Sequence, residues 1–242
     1  GPDVTTVAPG DRCSVEPYMH CGNCYACRQG AINCCEQLQV IGVMIDGGLR
    51  PQFVIRAEKL HVSTQLSYEQ LALVETLAIG CHAADRAAIR AGDTCLVIGA
   101  GPIGLAALEF VRLRGGRPVI VDLDPPRLAF CRTQLGVEFA IEPEEELAEQ
   151  LRSYGDGHLP DVVIDATGSA VSMSTSFSLL APAGRLVFVG LTTGEVSFRQ
   201  PIFHRPEGTL LCSRNALPED FRQIIGWIEE GRIDTSPWIT HK

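Results

Sequence analysis

The sequence predicts an α/β protein. A doubly wound parallel sheet carries most of the core, and a smaller, mostly β, cysteine-rich portion precedes it. Three observations predict this. Between residues 94 and 213 short apolar runs alternate with helical patterns, as in strand–helix–strand units that feed one parallel sheet. The first of these units turns through Gly99-Ala100-Gly101-Pro102-Ile103-Gly104. Five of the ten cysteines fall within residues 21–35.

The bulk numbers set the frame. A chain of 242 residues suits one large or two modest domains, and 45% hydrophobic residues supply a core without staples. The formal net charge is −9 and no basic stripe stands out, which argues against a nucleic-acid partner. No run approaches the ~20 apolar residues of a membrane span. The opening residues carry no signal-peptide pattern, so a soluble, cytoplasmic protein is expected. A secreted disulfide scaffold is usually short. Clustered cysteines in a long, acidic chain read better as metal ligands.

In chain order, residues 3–7 read as a strand, Pro9-Gly10-Asp11 as a turn and Cys13-Ser14-Val15 as a second strand. Next come Cys21, Cys24, Cys27, Cys34 and Cys35, spaced C-x2-C-x2-C and then x6 or x7. Four thiolates on a small lobe make a closed tetrahedral zinc site with no open position for chemistry. An iron–sulfur cluster and disulfides are the alternatives. Cys13, Cys81, Cys95, Cys131 and Cys212 stand singly and read as small buried hydrophobes.

Residues 37–56 read as a β-hairpin turning at Asp46-Gly47-Gly48, and residues 62–67 as a connector. Ser67 and Gln70 form a capping box for a helix that starts near Tyr68 and runs through residues 71–84. Inside that apolar stretch Glu75 needs a cation, a metal or a donor, unless it faces solvent. His82 reads as a satisfied core histidine.

The central unit is a strand at 95–98, the glycine turn, a helix at 105–113 and a strand at 118–121 that ends in Asp122. A lone G-x-G-x-x-G is weak evidence, but this context is the one that cradles a dinucleotide. Gly99 permits the turn, Gly101 lets a pyrophosphate approach, and Gly104 allows close helix–strand packing. The helix N-terminus, which opens at Pro102 and continues with Ile103, offers its free N–H groups, from Ile103 onward, to the phosphates. Asp122 can accept from the ribose hydroxyls and favours NAD, while nearby Arg127 keeps NADP open. Helices at 126–134, 144–154 and 171–180 alternate with strands at 139–141, 161–165 and 184–189. A strand at 209–212 and a helix at 218–230 complete the pattern. Thr167, Gly190 and Leu191 stand at strand ends, where such sheets bind ligands.

Cys21-x2-Cys24-x2-Cys27-x7-Cys35 ahead of the glycine unit resembles the zinc-dependent medium-chain dehydrogenases. Asn33-Cys34-Cys35, Asp46-Gly47-Gly48, the stretch from Leu73 to Gly80, and Ser213-Arg214-Asn215-Ala216 look closest to the sorbitol/polyol and sugar-acid branch. The resemblance covers essentially the whole chain. It implies a partial GroES-like catalytic domain over 1–75 with the zinc lobe at 21–35, an NAD-binding Rossmann domain over 76–213, and a return segment over 214–242. It implies structural zinc on Cys21, Cys24, Cys27 and Cys35, and a cofactor facing Gly99, Gly101, Pro102, Ile103, Gly104, Asp122 and Arg127. Glu75 falls at or beside the catalytic metal, and Arg214 falls near substrate or in an ion pair. The implied activity is hydride transfer between a secondary alcohol, a polyol or sugar acid, and NAD, in a homodimer or homotetramer. Family members carry a further cysteine and a Gly-His-Glu ahead of this chain's opening, and strands beyond its end. The chain is therefore expected to be truncated at both ends, and a non-catalytic NAD- and zinc-binding protein is the alternative.

Overall fold

The computed structural model describes residues 1, 3–143 and 146–239. The chain divides into two compact units, Gly1–Ala78 with Arg214–Lys242, and Ile79–Ser213.

The first unit is built from short pieces: β1 (Cys13–Val15), β2 (Tyr18–Met19), α1 (Tyr25–Arg28), β3 (Gln39–Val40), β4 (Leu60–Val62) and the start of α2 (Tyr68–Arg86). β1 pairs antiparallel with β4, and β2 with β3. The strand expected at 3–7 does not form; the chain there bends and turns, with the Val4 N–H donating to the Gly1 carbonyl at 3.1 Å. The expected hairpin over 37–56 does not form either. Gly42 adopts φ +84°, so the apolar run turns on itself and the Met44 N–H donates to the Val40 carbonyl at 2.9 Å. β3 is thereby left two residues long and pairs back with β2, while residues 53–55 enter no strand. Residues 60–62, partly read as connector, form β4.

α2 starts as its capping box requires. The Gln70 N–H donates to Ser67 Oγ at 3.2 Å, and the Ser67 N–H donates to Gln70 Oε1 at 3.0 Å.

The second unit holds β5 (Thr94–Ile98), α3 (Pro102–Leu113), β6 (Arg117–Val121), α4 (Pro125–Thr133), β7 (Phe139–Ile141), α5 (Leu147–Tyr154), β8 (Val162–Asp165), α6 (Ala170–Ser176), β9 (Arg185–Phe188), α7 (Gln200–His204) and β10 (Thr209–Cys212). The acidic helix expected from residue 144 begins at Leu147; positions 144 and 145 lie outside the described residues. α6 is shorter than expected. The Ser176 hydroxyl donates to the Met173 carbonyl at 2.7 Å, and Phe177, Leu179 and Leu180 then enter the core. The short α7 had no signal in the pattern.

The strands form one parallel sheet in the order β10-β9-β8-β5-β6-β7. The chain winds outward from β5 to β7, then returns to β8 on the other side of β5. That reversal opens a crevice at the carboxyl ends of β5 and β8, where such folds take ligands. Both faces are covered, which is why β5 reads as a continuous apolar run. Cys95 and Val97 pack with Leu108, Val111 and Leu128, while Leu96 and Ile98 pack with Leu151, Phe177 and Leu180. Gly80 lies so close to Ala106 of α3 that a Cβ there would overlap it. Cys81, Cys95 and Cys131 are buried as expected, but Cys212 is exposed and Cys13 half-buried. Cys212 lies on the sheet's edge strand, paired with Phe188 of β9 on one side and with no strand on its outer side among the described residues.

The chain re-enters the first unit and forms α8 (Pro218–Glu229). The Asp220 carboxylate accepts the Leu217 N–H at 2.7 Å, and Phe221, Ile224, Ile225 and Ile228 form its buried face.

Candidate functional site

The glycine turn leaves β5 at Gly99, whose φ of +101° an L side chain rarely adopts. Gly101 caps α3, and a Cβ there would meet nothing, so the space beside it is open. A Cβ at Gly104 would overlap the Gly99 carbonyl oxygen, so that glycine serves close packing. Pro102 opens α3 and Ile103 follows it, in the first turn where N–H groups lack intrahelical partners.

Asp122, just past β6, is anchored by backbone. The Ala100 N–H donates to Oδ2 at 2.5 Å and the Asp124 N–H to Oδ1 at 2.8 Å. Arg127 lies between two carboxylates, 3.8 Å from Asp122 and 3.5 Å from Asp124. Beside Asp122 opens a cavity of about 480 Å³, with Gly99, Thr167 and Ser169 among its polar lining and Leu123, Leu147 and Val171 among its apolar walls. Gly190 abuts the loop after β8; a Cβ there would overlap the Gly168 nitrogen. Leu191 follows, 93% exposed. Thus Gly99, Asp122 and Thr167 line one cavity, Gly190 packs against its loop, and Leu191 stands clear as a free apolar side chain.

The cysteine lobe is a second, separate site in the first unit. The sulfurs of Cys21, Cys24, Cys27 and Cys35 all lie within 4.8 Å of one another. The Cys21–Cys27 separation is 4.0 Å and the Cys24–Cys35 separation 3.9 Å. Tetrahedral zinc–thiolate bonds of about 2.3 Å place sulfurs about 3.8 Å apart, so the set fits zinc. Cys34 is exposed and outside the cluster. Backbone N–H groups of Cys27 and Glu36 hold the Cys24 thiol down at about 6, while desolvation pushes Cys27 up to about 11.

Glu75 lies in mid-helix, half-buried, and is not a cap. Its partner is a donor that sequence reasoning missed: the Tyr18 hydroxyl, 2.5 Å from Oε1. Tyr18 is 3% exposed, and burial, then the Glu75 carboxylate, hold its phenol well above the ordinary range. Around Tyr18 lies a buried ionic cluster, also missed. Lys59 Nζ pairs with Glu16 Oε1, and His61 Nε2 lies 3.2 Å from Glu16 Oε2. The His61 ring stacks on Phe221, which meets Tyr18 edge-on. An acid set between Val15 and Pro17 was the one signal available for it. Arg214 exposes its side chain; its carbonyl accepts the Asn33 amide at 2.8 Å.

The zinc-binding dehydrogenase family profile matches residues 102–230, and that of the alcohol dehydrogenase GroES-like domain matches residues 1–65. The chain belongs to the zinc-binding dehydrogenase family. Among its relatives is the L-galactonate-5-dehydrogenase of Escherichia coli K12, 38% identical over this entire chain and 71% of its own length. The sorbitol dehydrogenase of Halalkalibacterium halodurans is 29% identical over 100% of this chain and 72% of its own. The crystal structure of an alcohol dehydrogenase from E. coli CFT073, complexed with NADH, superposes with a TM-score of 0.87 at 27% identity. It covers 94% of this chain and 68% of that one. No helix among the described residues is long and apolar enough to cross a membrane.

Proposed function

We propose that this zinc-binding dehydrogenase transfers a hydride between a secondary alcohol, carried on a polyol or sugar acid, and NAD. The observation that carries the reading is the cavity at the β5/β8 reversal, lined by Gly99 of the glycine turn and by Asp122, which the Ala100 N–H of the same turn holds beside it. The 38% identity to an L-galactonate-5-dehydrogenase and the sorbitol dehydrogenase match support the substrate class.

NAD, when bound, supplies the hydride acceptor. This chain's residues bind and orient it. Gly101 leaves the pyrophosphate room, Pro102 sets the start of α3, and the first-turn N–H groups of Ile103 and Gly104 face its charge. Asp122, fixed by two N–H groups, accepts the adenosine ribose hydroxyls and disfavours a 2′-phosphate. Arg127 is already set between Asp122 and Asp124, which supports NAD over NADP. Thr167, Gly190 and Leu191 bound the cofactor on the β8–β9 side.

Zinc on Cys21, Cys24, Cys27 and Cys35 ties the lobe together and takes no part in hydride transfer. Glu75 is the carboxylate we place beside the reacting centre, and Arg214 the cation beside the substrate. Among the described residues Glu75 joins no group of three metal-ligating side chains, so no step is assigned to a metal there. The edge strand β10 exposes Thr209, Leu210 and Cys212, which supports a homo-oligomer formed through that edge.

The test is threefold: NADH titration by fluorescence, zinc per chain, and NAD reduction with a panel of polyols and aldonic acids. Binding of NADH with one zinc per chain is expected, with any turnover confined to secondary-alcohol substrates of this class. Failure to bind NADH would overturn the reading.

A further inference from the structure

Asp165, the last residue of β8, is 0% exposed, and the described donors around its carboxylate are neutral. An ionised carboxylate so placed is costly unless donors saturate it. Oδ1 accepts the Thr167 N–H at 3.0 Å and the Thr167 hydroxyl at 2.7 Å. Oδ2 accepts the Ser172 hydroxyl at 2.5 Å. The backbone carbonyl of the same residue accepts the N–H groups of Val189 and Gly190, at 3.0 and 3.1 Å. Thr167 Oγ1 in turn accepts the Ser169 N–H at 3.0 Å.

The partners of Asp165 are not scattered. Thr167, Ser169 and Ser172 line the 480 Å³ cavity, and Gly190 abuts its loop. Thr167 also faces Gly99, where a Cβ would come within 3.2 Å of its methyl. One buried residue therefore joins the loop after β8, the first turn of α6 and the end of β9. A core position of this size could be filled by an apolar side chain, as Val162, Val163 and Ile164 fill theirs.

We infer that Asp165 is a positioning residue for the cofactor. Its acceptor-only carboxylate fixes the cavity wall formed by Thr167, Ser169 and Ser172 before the ligand arrives, so that binding spends no free energy on ordering it. The inference rests on the reading of the cavity as the NAD site. It also fixes a direction: the Thr167 hydroxyl proton is committed to Asp165, so Thr167 Oγ1 meets the cofactor as an acceptor.

The experiment is NADH titration of the full chain, with Asp165→Asn, Ser172→Ala, Ser172→Thr and the Asp165→Asn/Ser172→Ala pair. All titrations are run well below each variant's melting temperature. Asp165→Asn turns an amide toward donors and should weaken NADH about tenfold or more, and Ser172→Ala about threefold, the range of a lost hydrogen bond to a charged group. Ser172→Thr should restore affinity, and Ser172→Ala should add nothing once Asp165 is Asn. Variants that melt earlier yet bind NADH like the unaltered chain would reduce Asp165 to a structural residue and overturn the inference. Should Asp165→Asn not fold, Ser172→Ala and its Thr rescue decide alone. An unaltered chain that binds no NADH would overturn the cofactor reading, and the role of Asp165 with it.

Discussion

The Tyr18 hydroxyl donates to Glu75 Oε1 across 2.5 Å, joining two residues 57 positions apart. The bond takes a carboxylate that sequence pattern leaves stranded in an apolar helix and holds it in one orientation. Removing the donor alone, as in Tyr18→Phe, keeps the ring contact with Phe221. It should lower stability by about 1–2 kcal/mol, around and just below the low end of the range for hydrogen bonds to charged groups, since Glu75 is only half-buried. Urea unfolding of Tyr18→Phe, Glu75→Ala and the pair measures this. Strictly additive losses would show that the two side chains are not coupled.

The cysteine lobe should take up one zinc per chain and give protons back. Cys27, pushed up to about 11, carries its proton at neutral pH, while Cys24, held at about 6, is already a thiolate. Zinc added to metal-free protein at pH 7.5 should therefore release at least one proton, read by an indicator dye in weak buffer. The sign follows from the depressed Cys24 value. Its thiolate is present above about 6 and is lost as pH falls through that value, so zinc affinity, already falling with pH because Cys27 must give up a proton, should fall more steeply below about pH 6. Zinc uptake unchanged at pH 5 would contradict the thiolate assignment. Cys24→Ser should lose zinc to a chelator that the unaltered chain resists; Cys34→Ser should not.

What the sequence made legible was what repeats locally. Apolar runs alternating with helical patterns announced the parallel sheet, and the cysteine spacing announced a cluster that does assemble. Residues 3–7 and 37–56 misled because two- and three-residue strands exist only where a partner stands opposite, and Gly42 at φ +84° cannot be read from alternation. The Tyr18–Glu75 bond and the Glu16–Lys59–His61 cluster join residues far apart in the chain, so no window of local pattern contains them. Asp165 stood in plain view at the end of an apolar strand. Its role needed Ser172 and Gly190 brought beside it.

Cofactor choice should turn on Asp122. Asp122→Gly removes the ribose acceptor and also the anchor of the Ala100 and Asp124 N–H groups, and it leaves Arg127 facing only Asp124. NADH should bind about tenfold or more weakly, as for loss of a charged hydrogen-bond partner. NADPH should be affected less, so the ratio of the two dissociation constants moves toward NADPH. A ratio that stays fixed would mean that Asp122 serves the turn and not the ribose.

Two glycines of the same turn should separate packing from binding. Gly101 has φ −76° and open space at its Cβ position. Gly101→Ala should therefore leave the melting temperature within about 1–2 °C, as for a surface change. The added methyl nevertheless occupies the approach proposed for the pyrophosphate, so NADH affinity should fall. Gly104→Ala drives a methyl into the Gly99 carbonyl oxygen, and backbone cannot rotate away as a side chain can. Overpacking of this kind costs about 1–3 kcal/mol, or about 2–12 °C in a chain of this size. Differential scanning fluorimetry with and without NADH reads both effects. The decisive pattern is opposite for the two variants: Gly101→Ala keeps its melting point and loses the NADH-induced shift, whereas Gly104→Ala melts early even without ligand. If Gly101→Ala kept the full NADH shift, the pyrophosphate would have to lie elsewhere than over this turn.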